Sequence, residues 1–237
     1  EYREAIKINP KGAEAHYNLG VLLDDLERYE EAEKEYREAI KINPKGAEAH
    51  YNLGVLLDDL KEYKEALEIL NKAIKLNPKE MDFWFRRSMI LIKLTNYDEA
   101  LKSANKTLAI AKKSDKEELT RVILLFVYLH AHFDEHKKAD QYLRKAFKYE
   151  TDEKTLQTWV SSFIENLISD GMLEFVSSVL KTIEEVKGKE YAELFAPFSI
   201  AVKYLKTKDD EILDRIHPEM REIVEEIIKK TGKNKKG

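Results

Sequence analysis

Apolar residues over the first 114 positions come in short blocks of helical spacing, two blocks to each 34-residue unit. In the unit 13–46 one block precedes and one follows a polar turn at Glu27–Tyr29, which predicts two antiparallel helices. Neither helix can bury its apolar stripe alone, so neighbouring pairs must stack. Gly20, Ala32 and Ala39 are small where the two helices of a pair are expected to approach closely. Asn43-Pro44 stops the second helix, because proline cannot continue it and restricts the residue before it.

The pattern repeats literally. Residues 2–26 recur without a change at 36–60, an offset of 34. The unit 13–46 carries His16, Leu19, Gly20, Leu23, Ala32, Tyr36, Ala39 and Pro44 at the spacing of a known repeat signature. The unit 47–80 has His50, Leu53, Gly54, Leu57, Ala66, Leu70, Ala73 and Pro78 there. The unit 81–114 departs further, with Trp84, Arg87, Ser88, Leu91, Ala100, Ala104 and Thr107, and with Lys112 in place of proline. On these residues the chain resembles the tetratricopeptide repeat family, with 1–12 as the second helix of a repeat whose first half is absent. The resemblance implies an all-α, right-handed superhelical solenoid of antiparallel helix pairs.

Downstream the match decays. Residues 120–151 read as a degenerate unit, with Phe126, Ala139, Leu143 and Ala146 at the expected offsets after an insertion at 115–119. Ser114–Glu117 reads as a capping box. Residues 152–187 give two helical patterns around Asp170-Gly171, and 189–230 a last pair split near Thr207, with Pro218 breaking or starting a helix. The expected organisation is a repeat array over 1–114, divergent helical hairpins over 115–230 and a disordered basic tail at 231–237.

The family's members bind peptides in a concave groove lined by the first helix of each unit. That resemblance places Tyr17, Asn18, Val21, Asp24 and Asp25 in the groove, then Tyr51, Asn52, Val55, Asp58 and Asp59, then Phe85, Arg86 and Met89. Leu124 and Tyr128 follow at equivalent positions. The Asp pairs end their helices, where a negative charge meets the negative end of the helix dipole at a cost of roughly 0.3–1 kcal/mol. They are expected to form an acidic strip for a partner's Lys or Arg side chains, to pair with cations of neighbouring helices, or simply to be solvated. Tyr and Asn form a second row, suited to an extended peptide's backbone or to packing between helices. The family's carboxylate clamp is not expected: Tyr17, Val21, Asn52, Asp82 and Arg86 stand at its five places, and Asp82 would repel a carboxylate. The unbroken apolar run Val122–Leu129 predicts a helix buried on all sides, covered by a helix from 189–230 or by an apolar partner.

Composition narrows the function. Forty-one basic against 45 acidic residues give a net charge of -4, which argues against nucleic acid. The absence of cysteine rules out disulfides and thiolate zinc sites. No stretch approaches the roughly 18 apolar residues of a membrane span, and no signal peptide opens the sequence, so a cytoplasmic protein with no membrane contact is expected. Lysine and glutamate enrichment with two Gln is the bias of hyperthermophile proteins. His130, His132 and His136 cluster near one helix end, but the first two face apart, so a core or turn role is expected rather than a metal site. No phosphate loop, metalloprotease helix or nucleophile elbow is present. The expected protein is a non-catalytic, cofactor-free scaffold for a protein or peptide partner that is basic, or basic and apolar. The alternative is a self-assembling or engineered array with no cognate ligand. Two identical stretches and a start in mid-repeat without methionine suggest a truncated or engineered form. The exposed N-terminal repeat end could also accept a second copy.

Overall fold

The computed structural model describes residues 2–111, 116–147 and 152–233. These form helices and connections in two compact units, Glu1–Lys112 and Lys113–Gly237. The N-terminal unit opens with α1 (Tyr2–Ile8) and continues as three hairpins. These are α2 (Ala13–Asp25) with α3 (Tyr29–Ile42), α4 (Ala47–Asp59) with α5 (Tyr63–Leu76), and α6 (Met81–Lys93) with α7 (Tyr97–Ala111). The second helix of each hairpin packs on the first helix of the next, α3 on α4 and α5 on α6, so the apolar stripes close into one continuous core. Leu23, Ala32, Tyr36, Leu53, Leu57, Ala66 and Leu70 lie at its centre, 3% exposed or less.

Identical sequence does not mean identical packing. Leu22 is 43% exposed while its copy Leu56 is fully buried, because α2 has only α1 before it whereas α4 has α2 and α3. Gly20 and Gly54 both sit where a hairpin's helices meet, with different clearance. A β-carbon on Gly54 would lie 3.4 Å from the Ala66 carbonyl oxygen, an ordinary contact; one on Gly20 would lie 2.7 Å from two carbons of the Tyr36 ring.

All three hairpins turn the same way. Glu27, Lys61 and Thr95 adopt left-handed conformations, φ 57°, 66° and 56°. The amides of Glu27 and Arg28 donate to the carbonyls of Asp24 and Leu23 at 2.8 Å, and those of Thr95 and Asn96 donate to Ile92 and Leu91 at 2.8 Å. These paired bonds are a Schellman closure, a position that favours glycine. Thr95 is the costliest occupant, because a β-branched side chain is strained at positive φ. Thr95→Gly is therefore expected to stabilise the N-terminal unit by about 0.5–1 kcal/mol, read as a higher urea midpoint.

The C-terminal unit begins with two more hairpins, α8 (Lys116–His132) with α9 (His136–Ala146) and α10 (Glu153–Ser169) with α11 (Leu173–Lys187). Their turns repeat the closure seen above: Glu135 donates to the His130 carbonyl at 2.9 Å and Met172 to Leu167 at 2.9 Å, around Asp134 (φ 57°) and Gly171 (φ 78°). The turn closure thus outlasts the repeat sequence by two hairpins, although the packing changes: α10 lies against α8, and α11 against α9.

Beyond Gly188 it stops. The single helix pair expected over 189–230 is four helices, α12 (Lys189–Glu193), α13 (Ala196–Thr207), α14 (Glu211–Asp214) and α15 (Pro218–Lys233). Pro197 opens α13, Lys208 ends it in a left-handed conformation, and Pro218 opens α15. α15 runs to Lys233 and so takes in 231–233 of the stretch expected as tail. Ser114 and Asp115 of the capping box, the side chain of Glu117 and the end of the tail fall outside the described residues.

Candidate functional site

The first helices of the N-terminal hairpins, α2, α4 and α6, carry the groove residues expected from the sequence. Tyr17, Asn18 and Val21, then Tyr51, Asn52 and Val55, then Phe85, Arg86 and Met89 are all half-buried. Neighbouring helices bind these side chains to one another. The Asn52 side-chain amide donates to the Tyr17 hydroxyl at 3.2 Å, and the Tyr51 ring stacks on Phe83 with centroids 4.8 Å apart. Tyr36, from the second helix of its hairpin, reaches the same place: its ring lies 6.2 Å from Tyr17, and its hydroxyl donates to Asp24 at 3.4 Å. Burial, and after it the Asp24 charge, holds the Tyr36 hydroxyl well above the usual tyrosine pKa, so it stays a donor. Tyr36 was legible in the sequence only as a packing residue.

The four aspartates do not form one strip. Asp58 is buried, and both its carboxylate oxygens are taken up by cations of α6. Arg86 donates to one at 3.0 Å and Lys93 to the other at 2.6 Å. Lys93 also lies over the Tyr63 ring, 5.3 Å from its centroid. Asp58 is therefore part of the stack, and of its expected roles it takes that of pairing with cations of a neighbouring helix. Asp24, in the identical helix one repeat earlier, has no such pair. The positions 34 residues before Arg86 and Lys93 hold Asn52 and Asp59. Burial pushes the Asp24 carboxyl above the usual aspartate range; the Tyr36 hydrogen bond opposes that, and the Asp59 and Asp25 charges add to it. Asp25 and Asp59 are exposed. Among the described residues Asp24, Asp25 and Asp59 form no ion pair.

Leu124 and Tyr128 belong to another structure. Leu124 is 6% exposed and sits in the core of the C-terminal unit with Ile123, Val127 and Phe163, so it offers no groove surface. The run Val122–Val127 is buried throughout. Within this unit α8 packs on α9 and α10, whereas α15, from the segment expected to cover it, packs on α10 and α13. Tyr128 is half-buried and donates its hydroxyl to Asp170.

The histidines divide among separate carboxylates. His130 meets Glu135 at 2.6 Å, His132 meets Asp170 at 3.3 Å and His136 meets Asp134 at 2.7 Å. His16 and His50 are buried, and His16 joins Glu35 at 2.6 Å. Among the described residues no three His, Asp or Glu side chains are placed to hold a metal ion, and no helix is long and apolar enough to cross a membrane.

Comparison with known proteins follows this geometry. The tetratricopeptide repeat family matches residues 1–47, 23–80 and 51–115. A second family, described as anaphase-promoting complex subunit 5, matches residues 112–169. No curated protein matches significantly. Among solved structures, MamA superposes with a TM-score of 0.58 at 22% identity, over 62% of this chain and 84% of its own. PilF of Pseudomonas aeruginosa gives 0.58 at 20% identity, over 82% and 86%. YrrB, described as a TPR protein with an unusual peptide-binding site, gives 0.57 at 17% identity, over 89% and 94%. These likenesses concern the fold. With its signature residues, its stacked hairpins and their common turn closure, the stretch 1–115 is a tetratricopeptide repeat array, and the solved structures share its fold.

Proposed function

We propose that the α2/α4/α6 face of the N-terminal unit binds an extended segment of a protein partner that carries basic side chains beside apolar ones, without catalysis. Proteins of this family serve as scaffolds for protein–protein interaction, and YrrB is described as having a peptide-binding site. The observation that carries the basic character is the contrast between two copies of one residue. Asp58 holds two cations of α6, while Asp24 faces Asp25 and Asp59 instead. A partner's lysine or arginine at Asp24 would supply the charge that Arg86 and Lys93 supply one repeat later. Tyr17, Val21, Tyr51 and Val55 beside it offer half-buried apolar surface for flanking side chains.

The test is calorimetric titration with a short peptide alternating lysine and leucine. Asp24→Asn, Asp25→Asn and Asp59→Asn together are expected to weaken binding at least about tenfold, with a strong dependence on salt. Equal affinity in the triple variant would refute the acidic site. No binding by the unaltered chain would favour a structural array with no cognate ligand.

A further inference from the structure

The third repeat breaks a rule that the first two keep. Its position 87 corresponds to Leu19 and Leu53, which are 6% and 1% exposed. Arg87 stands there instead, with its side chain 17% exposed. A guanidinium in place of a buried leucine costs several kcal/mol unless its donors are met. The structure meets them: Nε donates to Asn71 at 2.9 Å, one terminal nitrogen donates to Ser103, and the other lies 3.6 Å from Glu99. Ser103 itself replaces the buried Ile69 of the second repeat. Relative to the second repeat a leucine and an isoleucine have given way together to a polar floor; the first repeat holds Glu35 at the second of these positions.

That floor lies at the bottom of a cavity of about 380 Å³ between α5, α6 and α7. Trp84 forms one wall. Its ring nitrogen is spent on the Pro78 carbonyl at 2.9 Å, so it offers the cavity an apolar surface. Lys75, Lys102 and Lys106 line the rim. Lys102 is held by Glu99 at 2.6 Å, while Lys75 and Lys106 form no ion pair among the described residues. Four cations therefore surround one carboxylate. Lys75 also lines a neighbouring cavity of about 510 Å³, with Lys41, Lys72, His50 and Leu76; Lys41 is paired with Glu38 at 3.0 Å, while Lys72 forms no ion pair among the described residues. The two cavities make a cationic track whose apolar surface comes from Trp84 in one and Leu76 in the other, built from side chains other than those of the proposed basic-segment site.

We propose that this track is a second binding site, which takes an acidic segment of a protein partner. A carboxylate enters beside Arg87 between Lys75 and Lys106, and an apolar neighbour rests on Trp84. The segment continues past Lys75 towards Lys72 and Lys41. The site is independent of the α2/α4/α6 face and has the opposite charge preference.

Trp84 reports on it directly. Trp84 and Trp159 are the two tryptophans of the chain, so Trp159→Phe leaves a single probe in the cavity wall. In that background a short peptide alternating glutamate and leucine is expected to change the Trp84 emission saturably, and less so as salt is raised. Lys75→Gln with Lys106→Gln should raise the half-saturation point about tenfold. Arg87→Leu with Ser103→Ile restores the residues of the second repeat and should abolish the response in a chain that melts no lower. If that variant does not fold, the lysine pair still decides the matter. A flat Trp84 signal, an equal response to the lysine–leucine peptide, or undiminished affinity in the lysine variant would overturn the proposal. So would inorganic phosphate that displaces the peptide at equal concentration, since that marks a small-anion pocket. Binding of the lysine–leucine peptide, measured by calorimetry, should be untouched by Arg87→Leu with Ser103→Ile, so this site and the basic-segment site fail separately.

Discussion

Asp58→Asn is expected to destabilise the N-terminal unit by about 2–3 kcal/mol, while Asp24→Asn, in a helix of identical sequence, stays within about 0.5 kcal/mol of the unaltered chain or exceeds it. The difference lies in what each carboxylate faces. Asp58, with its side chain fully buried, accepts from Arg86 and Lys93, two charge-assisted bonds that an amide cannot both replace. Both cations are about a third exposed and regain some water, which keeps the loss below that of a fully buried pair. Asp24 stands among like charges, and its carboxyl is held above the usual range by burial first, then by Asp59 and Asp25, against the Tyr36 hydrogen bond. Between its unfolded and folded pKa values the folded chain binds the proton more tightly, so this group makes stability rise as pH falls through that window. Asp24→Asn should abolish that contribution. Urea unfolding of both variants at neutral pH, and of Asp24→Asn at mildly acid pH, checks the two halves. Equal losses would mean that α6 does not discriminate between the copies.

A second pair of identical changes is expected to part in the same way. Gly20→Ala should cost about 1–2 kcal/mol, while Gly54→Ala should be neutral or stabilising by about 0.5–1 kcal/mol. Alanine is the better helix former at both places. At Gly20 the new methyl would stand 2.7 Å from carbons of Tyr36, which is 1% exposed and tied to Asp24 through its hydroxyl, so the ring cannot swing aside freely. At Gly54 the nearest side-chain atom is the Leu70 β-carbon at 3.5 Å, which needs no shift. Tyr36→Leu copies the second repeat's choice and should rescue Gly20→Ala. Denaturation of the single and double variants gives the coupling directly, and strict additivity would contradict the clash.

What was legible in the sequence follows from the range of the interactions involved. The hairpins to residue 111 are written locally, in Gly20 and Gly54, the alanines and the prolines at 44 and 78. The fourth hairpin turns on Asp134, an ordinary surface residue, so nothing in its composition announced the shared closure. The apolar run at 122–129 declared its own burial but not its neighbours, because an all-apolar helix carries no directional stripe. The Asp pairs were visible as a broken local rule. Which of them was engaged depended on side chains 28 and 35 residues further on, and two identical segments cannot encode that difference themselves. Arg87 was visible as a departure at a signature position; its meaning needed Ser103 and Asn71, which belong to other helices.

α2 and α4 are the same thirteen residues, and α6 decides that they behave differently. Copying a repeat therefore does not copy its chemistry. A further duplicate of residues 47–80, placed directly before the existing one, would add one more acidic vacancy and leave the Arg86–Lys93 closure at the same distance from the C-terminal unit. The third repeat works as a terminator, and copy number upstream of it sets how many unpaired acidic positions the array carries.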